Sequence, residues 1–347
     1  MITYILIFNI PLVLMYFEIK NKIIFEDLLK LYFLFLLLFI GLRYEVGGDF
    51  YSTSLSMLPL NSVYDTFSTI TILNSVLLYI SKISYLDVFI YNFIGSCAFI
   101  YSFYKFTKNL ESRSLTLIIS FPIIFLILAM GFTKQSYAFS FILLGILYFK
   151  KEDYFKTLIL FTISILFHIS SIIILAIFIY KIKYIIKNIY TYVFLFFLII
   201  LSYFYLPVLI EYVLNWVLED AKPKSTGMIL RVLMNIPVIF LYLIFRSKIL
   251  KIDRNYAFLD IIIAIQMIII ILAFVTNISG LLDRFNIILS FSQILVYSLI
   301  LQINKDYFKE IFSFIYFKYF IILYFWLSFA DTRIAWLPYK NILFSNF

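Results

Sequence analysis

The charged residues of this chain are not spread along it. They sit in short clusters between apolar runs of about 15 to 20 residues, the length a helix needs to cross the hydrocarbon of a bilayer. Of the 347 residues 64% are hydrophobic and the mean hydropathy is +1.04, more apolar surface than a water-soluble fold could cover. Hydrocarbon offers no water to backbone N–H and C=O groups, so a spanning segment is either a helix or a strand of a closed barrel. The uninterrupted apolar runs lack the alternation of a barrel. The expected fold is therefore an all-α polytopic bundle, one integral membrane domain over residues 1–347. The net charge of +9 comes from Lys and Arg that flank the apolar runs, where their role is to set orientation, and it does not indicate nucleic acid. The single cysteine, Cys97, excludes an internal disulfide, and a single histidine excludes a His/Cys metal cluster, so no metal and no cofactor is expected. The first run, 2–17, has neither a basic n-region nor a small-residue cleavage site, and is expected to stay as a helix.

Twelve spans are expected, near 2–17, 28–42, 85–104, 115–130, 136–148, 154–167, 170–180, 190–206, 228–245, 256–275, 285–302 and 311–328. Between the second and third lies a loop, 43–84, in which 62–81 is less apolar and spaces Val63, Phe67, Ile70 and Leu77 at helical intervals. It reads as one interfacial helix. With this layout eighteen Lys and Arg fall on one set of loops, at 20–30, 105–113, 150–156, 181–187, 246–254 and 305–309. The other set holds about half as many, so the first faces the cytoplasm. Dividing 154–180 into two short helices keeps that parity. It also puts Phe167-His168-Ile169-Ser170 at a polar break inside the membrane, tolerated where the break lines a cavity. The loops 43–84 and 207–227 and the tail 329–347 are then extracytoplasmic.

That outer side collects Arg43, Glu45, Asp49, Lys134, Gln135, His168, Lys222, Lys224, Arg231, Asp283, Arg284, Arg333 and Lys340. In Gly41-Leu42-Arg43-Tyr44-Glu45-Val46-Gly47-Gly48-Asp49-Phe50-Tyr51, two glycines let backbone approach a ligand while Arg43 and Asp49 bring opposite charges to a membrane edge. A tight turn with a snorkelling Arg would look the same. Lys134-Gln135 opens a helix, a position suited to an anion such as a phosphate, or simply a polar turn. His168 can titrate near neutral pH or cap a carbonyl. Asp283-Arg284 opens the eleventh span and reads equally as a self-neutralising pair, and Arg333 as a headgroup contact. Asn92, Asn235, Gln266, Asn286 and Gln293 are expected to make interhelical hydrogen bonds.

Taken in order along the chain, five pieces resemble one family. They are the Arg43-Tyr44…Gly47…Asp49…Tyr51 loop after the second helix, the helix start at Gln135, the Leu166-Phe167-His168…Ser171 break, the helix start at Arg284, and the terminal Leu337-Pro338-Tyr339-Lys340. Together they resemble the EpsG-like branch of the Wzy-type O-antigen and exopolysaccharide polymerases. The position before Gln135 is usually Arg in such proteins and is Lys134 here, which keeps the charge without the bidentate fork. The resemblance implies a GT-C-like glycosyltransferase of the bacterial inner membrane, with its active face extracytoplasmic. Such an enzyme transfers a growing glycan from undecaprenyl diphosphate to the non-reducing end of a lipid-linked repeat unit. Its partners would be the lipid-linked donor and acceptor, membrane lipid and a chain-length regulator protein. Arg43, Lys134, Gln135, Arg284, Arg333 and Tyr51 would bind diphosphate and glycan. Asp49, then His168, then Glu45 would take the acceptor's proton. Two other classes fit the spans: a lipid-linked oligosaccharide flippase, for which a repeat of two halves is expected, and a glycan acyltransferase using His168.

Overall fold

The computed structural model describes residues 1–181 and 227–344, apart from 68, 70, 85, 277 and 278. The expected span 190–206, the loop 207–227 except its last residue, and Lys183, Lys187, Lys222 and Lys224 lie outside the described residues. Among those described there are helices and no strands, with one isolated bridge between Arg43 and Asn341. In order they are α1 (Ile2–Lys20), α2 (Lys22–Gly41), α3 (Phe50–Met57), α4 (Val63–Phe67), α5 (Ile72–Ile83), α6 (Asp87–Thr107) and α7 (Arg113–Ser120), which continues as a wider π-helix, Phe121–Gly131. Then follow α8 (Thr133–Lys150), α9 (Tyr154–Phe167), a 3-10 helix (Ile169–Lys181), α10 (Met228–Leu233), α11 (Ile236–Ile252), α12 (Phe258–Val275), α13 (Ser279–Ile288), α14 (Phe291–Ile303) and α15 (Phe308–Phe329).

Among the described residues, five segments are long and apolar enough to cross a membrane: Ile2–Lys20, Arg113–Gly131, Met228–Ile252, Arg254–Val275 and Lys305–Phe329. The pair α13 and α14, bent by 42°, makes a sixth if taken as one span. α2, α6 and α8 have 20, 21 and 18 residues but are diluted by polar side chains, Glu26, Asp27 and Lys30 in α2 among them. The expected single helix over 62–81 is instead two, α4 and α5. Asp65 of α4 accepts from the N–H groups of Asn61 and Ser62, while Asn74 of α5 accepts from Tyr91 OH at 2.5 Å.

The chain does reverse at His168. Phe178 returns to ring contact with Phe149, at 5.9 Å, and with Phe161, at 5.6 Å, so α9 and the 3-10 helix run back to back and Lys150 and Lys181 share one end. α7 is the axis of the bundle, with every residue from Arg113 to Gly131 buried. Its wider winding begins where Pro122 removes a backbone donor. Apolar side chains gain little by leaving lipid for one another, so polar bonds between helices specify the packing. Asn235 donates to Asn286 Oδ1 at 2.5 Å, Gln293 to Asn235 Oδ1 at 2.7 Å, Tyr319 to Gln293 Oε1 at 2.6 Å and Gln266 to Ser292 Oγ at 2.9 Å. These are four of the five polar residues expected to bridge helices, and Asn92 is the fifth.

The helices order two ends. Glu18 and Glu26, the Arg113 start of α7, the Lys150–Asp253 contact and the Lys305–Glu111 contact lie at one, the basic end. Met1, Arg43, Gly131, Thr133 and the tail after Phe329 gather at the other, the loop end.

Candidate active site

Arg43 directly follows α2 and is fully buried. A buried guanidinium costs several kcal/mol, on the order of a lost ion pair, unless its N–H groups are met. Here Nε donates to the Val46 carbonyl at 3.1 Å, Nη1 to the Ile40 carbonyl at 2.6 Å, and Nη2 to Asn92 Oδ1 at 2.8 Å and Thr133 Oγ1 at 2.9 Å. One side chain thus joins the end of α2, the loop beyond it, α6 and the start of α8. Its donors face the protein, so Arg43 builds the site and leaves contact with an anion to its neighbours.

The loop it holds is pressed from both sides. Gly47 has φ 103, a left-handed conformation, and a β-carbon there would run into the Met130 carbonyl. Gly131 lies flat under the Trp336 indole, where a side chain would collide with the ring. The tail straps the loop through main-chain bonds: Gly47 N–H to Ala335 O at 2.7 Å, Tyr44 N–H to Lys340 O at 3.1 Å and Ile342 N–H to Leu42 O at 2.9 Å. Tyr4 OH of α1 donates to the Trp336 carbonyl at 2.8 Å and anchors the strap. The tail's part in the site is carried by backbone pairing, which no residue type announces in a sequence.

Asp49 emerges half-buried from this loop. Burial pushes its carboxyl up to about 6, against the opposing pull of the Lys134, Arg284 and Arg43 charges and of the Thr133 N–H. Lys134 and Arg284 also lie within electrostatic reach of His168. Three predicted cations, Arg43, Lys134 and Arg284, therefore act on Asp49, and His168 lies within reach of two of them. Gln135 is beside them in α8, and both atoms of its buried amide lack a hydrogen-bond partner among the described residues. The Asn92 amide nitrogen is likewise unmet. Buried amides are ordinarily paired, so this is an unspent capacity for a hydroxyl or phosphate oxygen.

The other candidates are placed differently. His168 sits in extended backbone between α9 and the 3-10 helix, with Nδ1 2.7 Å from Ser170 Oγ and accepting from the Ser170 N–H at 3.3 Å. That nitrogen starts the 3-10 helix. Glu45 accepts from Lys340 Nζ at 2.7 Å; Lys340, helped by the Tyr51 hydroxyl, holds its carboxyl below the usual carboxylate range, which makes it a weak base. Glu45, Tyr51 and Lys340 instead line a cavity of about 520 Å³ with Gly47, Gly48 and the tail. Arg333 is exposed on the tail and donates to the Ser328 carbonyl. Asp283 accepts from Arg231 Nε and Nη2 at 2.7 and 2.6 Å, a buried bidentate pair across from α10 that its sequence neighbour Arg284 does not reveal.

No curated protein and no solved structure matches this chain. Residues 28–341 match the EpsG family, an interval that runs from α2 to Asn341, the tail residue bridged to Arg43. By that match, over most of its length, the chain belongs to the EpsG family.

Proposed function

We propose that the protein is a polysaccharide polymerase acting on lipid-linked glycans at the loop end of the bundle. The observation that carries this reading is the half-buried Asp49, enclosed by Lys134, Arg284 and Arg43 and lifted to about 6. The EpsG match supports the same reading. A carboxylate with such a pKa is largely ionised at neutral pH yet basic enough to accept a proton. In the proposed reaction the acceptor sugar hydroxyl attacks the anomeric carbon of a donor glycan held on undecaprenyl diphosphate. The new glycosidic C–O bond forms as the bond to the diphosphate breaks. Asp49 takes the hydroxyl proton, and the leaving diphosphate carries off the electron pair. Lys134 and Arg284 meet the charge that develops there, with Arg333 on the path to bulk solvent. Gln135 and Tyr51 would hold sugar hydroxyls, and Arg43 fixes the frame. The reaction is written without a metal because Lys and Arg supply the positive charge.

The finer topology belongs to the same proposal: a twelve-span bundle of GT-C type in the bacterial inner membrane, basic end in the cytoplasm, loop end outside, with a chain-length regulator as partner. Its support is the concentration of Lys and Arg at one end and the reversal at His168. The test is a deletion in the native strain, with lipid-linked intermediates sized by gel and mass spectrometry. Single repeat units accumulating on the outer leaflet are expected. Units trapped on the cytoplasmic leaflet would make the protein a flippase, and full-length polymer lacking only an acyl decoration would make it an acyltransferase.

A further inference from the structure

His168 is the single histidine of the chain, 9% exposed in the break between α9 and the 3-10 helix. Its place is fixed on both sides. Phe167, just before it, stacks on Tyr137 at 5.1 Å and on Phe141 at 5.4 Å, which ties the break to α8 within a turn of Lys134. The His168 N–H donates to the Ser164 carbonyl at 3.0 Å, and its own carbonyl accepts from the Ser171 N–H at 3.0 Å. Only the ring has capacity left.

The ring's proton can be placed from its neighbours. Nδ1 accepts from the Ser170 N–H, a group that can only donate, so Nδ1 presents a lone pair. The Ser170 hydroxyl, 2.7 Å away, then donates to the same nitrogen. A neutral imidazole has one N–H, and with Nδ1 bare it is on Nε2. A doubly protonated ring would set Nδ1–H against the Ser170 N–H and add a positive charge within electrostatic reach of Lys134 and Arg284. Nε2–H is thus a donor, and it has no hydrogen-bond partner among the described residues. A buried donor is ordinarily paired, so this one is matched to an acceptor that arrives from outside the chain. The charges that bear on the ring are Lys134 and Arg284, the two given to the diphosphate in the proposed reaction, and not Asp49.

We propose that His168 is a substrate-binding residue whose neutral ring donates Nε2–H to an oxygen of the diphosphate held by Lys134 and Arg284. A neutral N–H adds a directed bond to that anion, where another cation would be repelled by the first two. A protonated Nε2 cannot accept the attacking hydroxyl's proton, so the base remains Asp49. This role rests on the polymerase reading and deepens it by one contact.

Because the chain has one histidine, protein labelled with heavy nitrogen in the imidazole and carrying no histidine tag gives one magnetic resonance for each ring nitrogen. Nδ1 is expected in the range of a bare nitrogen and Nε2 in that of a protonated one, with Nε2 shifting when inorganic diphosphate is added. A bare Nε2, or diphosphate that leaves Nε2 unmoved, would overturn the role. Two variants separate the donor from the cap. His168→Asn keeps an acceptor for the Ser170 N–H and loses the Nε2 donor, whereas His168→Gln reaches the Nε2 position with an amide N–H and loses the cap. Polymer formation is expected to fall about 10²-fold in the first and about tenfold or less in the second. Normal polymer from His168→Asn with a loss in His168→Gln would reduce His168 to a helix cap, and equal large losses from both would overturn the donor as well. Should the unaltered protein form no polymer, the polymerase reading falls, while the two resonances still decide the tautomer and the diphosphate contact.

Discussion

The basic end and the pocket around Asp49 treat charge in opposite ways. At the basic end each named cation has a carboxylate at hand: Arg113 donates to both oxygens of Glu26 at 3.0 and 2.9 Å, Arg246 pairs with Asp260 at 2.6 Å, Lys305 with Glu111 at 2.9 Å and Lys156 with Asp153 at 2.9 Å. In most of these pairs the cation is at least half exposed, where such pairs are screened and contribute little. At the loop end Arg43 is buried against neutral acceptors, and Asp49 keeps a raised pKa although three cations are near it. In the proposed reaction, cations gathered around a partly dry carboxylate are arranged for charge that arrives with a substrate. In the proposed reading the basic end anchors the protein and the loop end reacts.

Removing the loop-end cations should break that contrast most severely. Arg284→Ala and Lys134→Ala each take away a group facing the developing diphosphate charge, and polymer formation by membranes of equal protein content is expected to fall about 10²- to 10³-fold. Arg43→Ala should abolish polymer by dismantling the frame, and Arg43→Lys should restore only part, because an ammonium cannot reach Val46, Ile40, Asn92 and Thr133 together. Normal polymer from the Arg284 and Lys134 variants would end the assignment of a reacting end.

Asp49→Asn comes next, keeping shape while removing the base, with a loss of about 10²- to 10⁴-fold. The sign of the pH effect follows from burial. The carboxyl sits at about 6, so its basic form is lost as pH falls through 6, and initial polymerisation rates should drop on that acid limb. A residual activity of the Asn variant should show no such limb. Full activity in the variant would mean that another acceptor takes the proton.

The loop can be probed without touching a charge. Gly47→Ala forces a side chain into a left-handed backbone and against the Met130 carbonyl, a strain of about 1–3 kcal/mol that should displace Asp49 and reduce polymer about tenfold or more. Gly48→Ala is its control. A β-carbon there comes no nearer than 3.6 Å to the Gly131 carbonyl, and near-normal polymer is expected. Equal losses from both would show that the loop needs flexibility, not one fixed shape.

The reading from sequence alone reached the helical class, the reversal at His168 and the company of Asp49, for separate reasons. Hydropathy is a sum over a segment and survives local error. The reversal followed from counting Lys150 and Lys181 on one side. Arg43, Lys134 and Arg284 stood out because charge at a membrane edge is rare. What stayed hidden was pairing at a distance. Nothing in Asp283 names Arg231 as its partner, and nothing in Ala335 or Lys340 reveals that their carbonyls hold the Gly47 and Tyr44 amides. The split of 62–81 into α4 and α5 was missed because helical spacing of four apolar residues takes no account of where the chain turns.

The smallest effect is expected at the basic end, and its smallness is the point. Arg246 donates Nε and Nη2 to the two oxygens of Asp260, which also accepts from Tyr242 OH at 2.8 Å. The arginine side chain is half exposed, at 50% of its full accessibility. Exposed pairs of this kind are worth about 1 kcal/mol or less. Arg246→Ala should lower thermal stability in detergent by no more than that, since Tyr242 continues to bond Asp260, and seventeen of the eighteen Lys and Arg counted on that side would still set orientation. Polymer length and amount should match the unaltered protein. A tenfold fall in polymer from this one exposed arginine, with stability intact, would show that charge at the basic end also takes part in the reaction and would erase the division between an anchoring end and a reacting one.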